Sequence, residues 1–383
     1  MIRVITILLF LIFTLSCTNR GELLKHSFVK IDLDKTEGIE ALPKLSEIAE
    51  SIEYIKLETD SRCLIGDFNE IRITEKYLFI SSNNNLLMFN RKTGKFIRKI
   101  GSRGKGPEEY QGFKTFEVDE KNSRVYLWDY VMNKFLIYGF NGNLISVIKP
   151  VEIENIDVDF FKLTGDNRII IHDYNFFGNS RYQVYLIDYT GKVINKIVNT
   201  HKFKVTFPLS ISRNQTNSLS VINSQTISYK YIRNDTIYHS LKNDLSLIPV
   251  YVFCADKKSK HKYSKREYIR IYNLFETGDY LFFKRHRNVL YNKADNEIRF
   301  SKFNQNGFIN DIDGGSNFWP KFAQDNSLIT YYNASDLKEN LTPEHFKNSI
   351  TKNPDQTEKL KKLTASLKED DNPVVVIVTL KKQ

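Results

Sequence analysis

Along its length the chain alternates short apolar runs with polar turns. Six of the runs share a register: YLFISS starts at Tyr77, RVYLWDY at Arg124, RIIIHDY at Arg168, TISYKYI at Thr226, YLFFKRH at Tyr280 and SLITYY at Ser327. Their starts lie 47, 44, 58, 54 and 47 residues apart. Runs of this length, rich in Ile, Val, Tyr and Phe, predict strands rather than helices. The second unit shows the internal order best. FKTFEVD (113–119) predicts strand A, RVYLWDY (124–130) strand B, KFLIYGF (134–140) strand C and LISVIKP (144–150) strand D. Asn-Gly-Asn joins C to D, and Asn-Gly is the strongest short hairpin signal. RKTGK and YTGK stand at the same step in units one and three.

A repeat of about 40–50 residues with four strands is what a β-propeller blade requires. One blade cannot bury both faces alone, and radial stacking supplies the missing burial. The expected architecture is all-β, a six-bladed propeller of four-stranded blades. The last unit has WPKFAQD (319–325) as A and SLITYY (327–332) as B, but only PVVVIVTL (373–380) remains for C and D. IEYIKLE (52–58) alternates and has no partner in its own unit. It is expected beside 373–380, closing the ring and removing an open edge. The excursion at 334–372 reads as helical: Thr342-Pro343 and Asn353-Pro354 are caps followed by Pro, and Leu360, Leu363 and Leu367 follow at helical spacing. It is either a lid or partner-binding hairpin, or a decoration of one rim.

The stretch GSRGKGPEEYQGFKTFEVDEKNSRVYLWDYVMNKFLIYGFNG (101–142) resembles one NHL-type propeller repeat, at Gly101, Gly104, Gly106, Tyr110, Val118, Asp119, Val125 to Leu127, Asp129 and Asn133. From about residue 50 to 383 the chain is similar to the six-bladed β-propeller lipoproteins of Bacteroides-like bacteria. There an LET segment and a GxGPxEY stretch recur, here Leu57-Glu58-Thr59 and Gly104 to Tyr110. The resemblance implies a fold and an envelope address, and no catalytic residues.

Composition sharpens the address. Arg3, the apolar run Val4 to Leu15 and then Ser16-Cys17 read as a signal segment (1–17) with a lipobox-like Cys17, which cleavage would leave as a lipidated N-terminus. Twelve apolar residues are too few to span a bilayer. Residues 18–50 read as tether and lead-in, and 51–383 as the propeller. The expected location is the cell envelope, as an outer-membrane lipoprotein. Cys63 and Cys254 are far apart and are expected as separate thiols. The formal charge is +11. On an exported protein this favours acidic glycan or anionic lipid over nucleic acid.

In a four-stranded meander the B–C loops and D–A crossovers emerge on one face, here termed the top. It gathers the candidate ligand-binding residues: Arg103 and Lys105 from one crossover, Asp129, Tyr130 and Asn133, then His172, Asp173 and Tyr174, then Arg285 and Arg287. Lys257, Lys258, Lys260, Lys262, Lys265 and Arg266 add a basic sector. Aromatic and amide groups suit sugars, and the cations suit polyanions. The GSRGKG loop lacks a following helix, so phosphate binding is not expected. HExxH and GxSxG are absent, and no His pair has zinc spacing. Accordingly no catalytic residue, metal ligand or cofactor is assigned.

Three readings stand. The first is a monomeric, lipid-anchored module binding a glycan or an envelope protein on its top face, with no nucleic-acid partner. The second is a metal-dependent hydrolase or lyase with a divalent cation at the channel mouth, drawing on Asp129, Asp173, Asp235 and Asn288 with His172 as base. The third is a structural envelope component.

Overall fold

The computed structural model describes residues 28–34, 41–153, 156–175, 177–203, 218–222, 226–231, 233–241, 245–256, 259–260 and 267–382. Cys17, the signal segment and Lys257, Lys258, Lys262, Lys265 and Arg266 of the basic sector lie outside these residues.

Six four-stranded antiparallel sheets form a ring. β1 (Val29–Asp32), α1 (Leu45–Ile48) and β2 (Ala49–Lys56) precede blade 1, which is β3 (Glu70–Ile73), β4 (Tyr77–Ser82), β5 (Asn85–Asn90) and β6 (Phe96–Lys99). Blade 2 is β7 (Phe113–Asp119), β8 (Arg124–Asp129), β9 (Lys134–Gly139) and β10 (Leu144–Ile148). Blade 3 is β11 (Val158–Leu163), β12 (Arg168–Asp173), β13 (Tyr182–Asp188) and β14 (Val193–Val198). Blade 4 is β15 (Ser218–Ile222), β16 (Thr226–Lys230), β17 (Thr236–Leu241) and β18 (Ile248–Cys254). A short hairpin, β19 (Ser259–Lys260) and β20 (Glu267–Tyr268), precedes blade 5: β21 (Tyr272–Glu276), β22 (Tyr280–Lys284), β23 (Asn288–Asn292) and β24 (Glu297–Phe300). Blade 6 holds β25 (Phe322–Gln324), β26 (Ser327–Tyr332) and β27 (Val374–Leu380). Between β26 and β27 come α2 (Ala334–Asn340), α3 (Pro343–Asn348) and α4 (Pro354–Ala365).

The ring closes as the unpaired strand requires. β2 pairs antiparallel with β27, with Ile52 opposite Val378 and Lys56 opposite Val374. The two middle strands of a blade are buried on both faces, which is why RVYLWD and VVVIVTL are nearly continuous apolar runs rather than alternations. Six apolar layers each join two neighbouring blades; Phe89 and Val375 meet in the layer between blades 6 and 1, for example. The hairpin glycines have a steric reason as well as a turn reason. Gly94 and Gly191 sit at positive φ, and a Cβ on either would lie 1.9 or 2.1 Å from the carbonyl oxygens of Lys56, at the end of β2, and Lys149, just after β10, each from the neighbouring blade.

The stretch expected as tether contains more structure than its sequence announces. β1 adds a fifth, parallel strand to the outer edge of blade 4, with Ile31 opposite Phe253. Ile31 and Leu33 are buried in the layer between blades 4 and 5. The excursion is helical and capped by the expected residues: Thr342 Oγ1 accepts from His345 N (3.2 Å) and Asn353 Oδ1 from Gln356 N (3.1 Å). Cys63 and Cys254 are both free thiols.

Candidate functional site

Blade 2 uses most of its top residues to hold its own turn. The Asp129 carboxylate is fully buried at the end of β8. Its Oδ1 accepts from Val131 N (3.0 Å) and Met132 N (3.1 Å), and its Oδ2 from Gln111 N (2.8 Å), which ties the B–C turn to the incoming crossover. Asn133 takes a φ of 49°, a backbone position that Asn tolerates well. The Tyr130 hydroxyl lies over Gly112, where a Cβ would come within 2.9 Å of it. In the crossover, Arg103 Nε donates to Gln111 O (3.2 Å), and Lys105 points to solvent. Glu109 folds back over the glycines and accepts from Gly106 N (2.8 Å); a Cβ on Gly104 would sit 1.8 Å from that carboxylate.

In blade 3, His172 is buried with its ring stacked between Phe160 (4.5 Å) and Tyr229 (4.4 Å). Among the described residues neither ring nitrogen has a hydrogen-bond partner, and burial holds the imidazole down to about 3. It is neutral packing between blades 3 and 4. Asp173 Oδ1 accepts from Asn175 N (2.7 Å) and Ser180 Oγ (3.1 Å), while burial raises its carboxyl to about 6. Tyr174 is buried with the Lys114 ammonium 4.6 Å from its ring centre. Arg285 donates to Leu33 O (3.3 Å) and pairs with Asp34 (3.2 Å), so it holds the end of β1. Arg287 donates to Ser301 O (3.4 Å) and lies 4.9 Å from the centre of the Phe300 ring. The candidates thus stand in three separate blades, each engaged with its own surroundings.

The inner strands carry a charged belt that sequence reading missed. Arg72, Glu117 and Lys162 occupy equivalent positions on β3, β7 and β11, 45 residues apart. Arg72 bridges Glu70 (2.5 Å) and Glu117 (2.8 Å), and Lys162 meets Glu117 from the other side. Burial pushes the Glu117 carboxyl upward, but Arg72 and Lys162 together hold it below its ordinary value. Among the described residues no three His, Cys, Asp or Glu side chains are placed to hold a metal ion.

The top of blade 6 is built differently. Two adjoining hollows of about 240 and 470 Å³ share Asn306, Asn317, Tyr332 and Asp336 and form one groove. One wall is the crossover from blade 5, pinned by the mutual backbone bonds of Phe308 and Phe318 (2.8 and 2.9 Å) and by Trp319 stacked on Phe308 (5.5 Å). The other wall is α2, with Asp336, Asn340 and Leu337 facing the groove. Tyr332 anchors the floor by donating to Asn317 O (2.7 Å). Gly315 forms the back, where a Cβ would fall 2.5 Å from Tyr54 Oη. Behind it Asp313 accepts from Tyr54 Oη (3.2 Å), Asn310 Nδ2 (2.8 Å) and Gly315 N (3.0 Å). Asp313 is therefore part of the framework behind the groove. Asp311 also accepts from Ser46 Oγ (2.7 Å) and so fixes α1.

Many polar groups of the groove keep open valences. Asn306 and Asn317 are exposed, and their side-chain amides make no hydrogen bond among the described residues. Asn333 precedes α2 yet makes no side-chain cap bond; it donates instead to Asp336 Oδ2 (3.0 Å). The sequence signal for the groove is indirect. Two of the long breaks in the strand pattern, 301–321 and 333–373, both open on the top of the same blade.

Comparison with solved structures supports the fold. A protein of Bacteroides fragilis described as exported is 18% identical, with a TM-score of 0.66 over 93% of this chain and 100% of that one. A DUF4221 family member from Bacteroides vulgatus is 12% identical, with a TM-score of 0.51 over 87% and 97%. No curated protein matches. The model of the family described as domain of unknown function DUF4934 matches residues 28–379, and the chain belongs to that family.

Proposed function

We propose that this chain is an exported, lipid-anchored binding module of the NHL-like propeller type, and that its ligand sits in the groove on the top of blade 6. One observation carries the reading: there, among the described residues, a formed hollow coincides with side chains whose hydrogen-bonding capacity the fold leaves open. Its volume lies within the range of about 300–1,000 Å³ common to small-ligand sites. The lipobox-like Cys17 and the exported B. fragilis neighbour support an envelope address. The partners in this reading are the membrane, through the anchor, and a glycan or an envelope protein; the protein works as a monomer without a cofactor or nucleic acid. The hydrolase reading, with a cation at the channel mouth, draws no comparable support: Asp129 and Asp173 cap turns, and His172 is packed among rings.

Hydrogen exchange on the domain, with and without envelope extract of its own cells, tests the site. Protection is expected at 306–317 and 333–341. Protection confined to 101–112 or 285–287 would move the site to the basic rim. Fractionation tests the anchor: Cys17→Ala should leave the membrane fraction, and its retention there would remove lipidation from the account.

A further inference from the structure

We infer that the groove recognises a neutral, polyhydroxylated ligand, a saccharide segment without carboxylate, sulfate or phosphate groups. The inference rests on the site reading above and adds the chemistry. Charge decides the first step. An anionic ligand needs cations facing it, and among the described residues the one lysine or arginine lining the groove is Lys321. Its ammonium is already engaged, 3.5 Å from the Tyr331 ring centre and donating to Tyr331 O at 3.3 Å. Asp336, exposed on the opposite wall, repels an anion. A cationic ligand is poorly served too, because among the described residues Asp336 is the sole carboxylate lining either hollow.

Hydrogen-bonding type decides the second step. A hydroxyl both donates and accepts, so it is matched by groups that offer both, and an amide does. Asn306, Asn317, Asn333 and Asn340 line the groove. Asn340 Nδ2 donates to Asp336 O (2.7 Å) and Asn333 Nδ2 to Asp336 Oδ2 (3.0 Å), which leaves both amide oxygens turned to acceptor duty. Asp336 Oδ1 remains to accept from a hydroxyl. An apolar ligand would strand these groups without hydrogen-bond partners, which costs binding free energy for each one buried.

Shape and stiffness decide the third step. Trp319 presents its ring to the groove with its indole N–H buried, while its Phe308 stack fixes its plane. Tyr331 is immobilised between Phe68, at 4.2 Å, and Lys321. A pre-ordered site avoids much of the ordering cost of binding. The flat, weakly polar faces of a sugar ring fit such a wall, and its edge hydroxyls fit the amides.

Tryptophan fluorescence gives a local readout, because the chain has two tryptophans and Trp128 is fully buried in blade 2. The mature protein carrying Trp128→Phe would be titrated with neutral hexasaccharides of glucose, xylose, mannose and N-acetylglucosamine, and with oligogalacturonate. Calorimetry on the protein with both tryptophans covers the case in which that variant folds poorly. At least one neutral oligosaccharide is expected to shift Trp319 emission, with affinity falling about tenfold or more in Asn317→Ala and in Asp336→Ala, the loss of one good hydrogen bond. Binding of oligogalacturonate alone, tightened by Asp336→Ala, would overturn the ligand class and leave the groove standing. Saccharide binding that changes neither Trp319 emission nor with Asp336→Ala would overturn the placement. Absence of any binding up to about 10 mM, the weak end of specific recognition, would overturn the saccharide assignment itself.

Discussion

Asp129 ends strand B of blade 2 and Asp336 follows strand B of blade 6, both on the top face, yet they have opposite environments. Asp129 is fully buried and accepts three backbone N–H groups. Asp336 is exposed and accepts from one amide. The difference follows from what leaves strand B. In blade 2 the connection is the tight turn 130–133, and a carboxylate there has only the turn's own N–H groups and the neighbouring crossover within reach. In blade 6 the connection runs through three helices, long enough to raise a wall beside the crossover and hold a carboxylate away from backbone donors. Residue type and position in the repeat therefore do not separate a framework carboxylate from an open one; here the length of the connection does.

The largest effect expected from breaking this comparison lies on the buried side. Asp129→Ala removes the acceptor of three N–H groups, so a loss of about 3–5 kcal/mol is expected in urea unfolding. A change below about 1 kcal/mol would mean that solvent replaces those bonds and that Asp129 is as open as Asp336.

His172 sharpens the same contrast through pH. Folded, its imidazole stays neutral down to about 3; unfolded, it binds a proton near 6.5. Between those values the unfolded state binds more protons, so stability falls as pH falls through that window. At pH 5 the term is about 2 kcal/mol. His172→Phe keeps the ring stack and should flatten this part of the stability–pH curve. An unchanged slope would mean that His172 reaches solvent and is available as a base. Asp173 has the opposite sign: its folded carboxyl holds a proton up to about 6, so its contribution falls as pH rises through the window between its unfolded and folded values.

The fold was legible because the burial pattern is local. Each middle strand is buried on both faces, so six apolar runs recur at blade spacing, and IEYIKLE betrayed the closure by lacking a partner. β1 was not legible, since VKID is four residues long and its partner, β18, lies more than two hundred residues away. The burial of His172 could have been read from the same rule, because RIIIHD is a middle strand. The groove could not. Asn306, Asn317, Trp319 and Asp336 lie in long connections without periodicity, and only the folded ring brings those connections side by side.

Arg285 tests the basic rim at smaller scale. Its bonds to Leu33 O and Asp34 are partly buried, and Arg285→Ala should cost about 1 kcal/mol while loosening β1. Faster hydrogen exchange at Val29–Asp32, with ligand binding unchanged, is the expected result. Weakened binding with unaltered exchange would return Arg285 to the ligand site.

The smallest stability effect is expected in the groove, and it is the most informative. Asn317→Ala and Asp336→Ala remove exposed side chains with few internal bonds, so unfolding should shift by no more than about 0.5 kcal/mol. If the groove is a site, the same substitutions should nonetheless weaken ligand binding. That combination separates the two regions, because a framework residue changes stability first and binding only as a consequence. A loss above about 2 kcal/mol in Asp336→Ala would place Asp336 with Asp129 as framework for α2, and the contrast between the two blades would collapse.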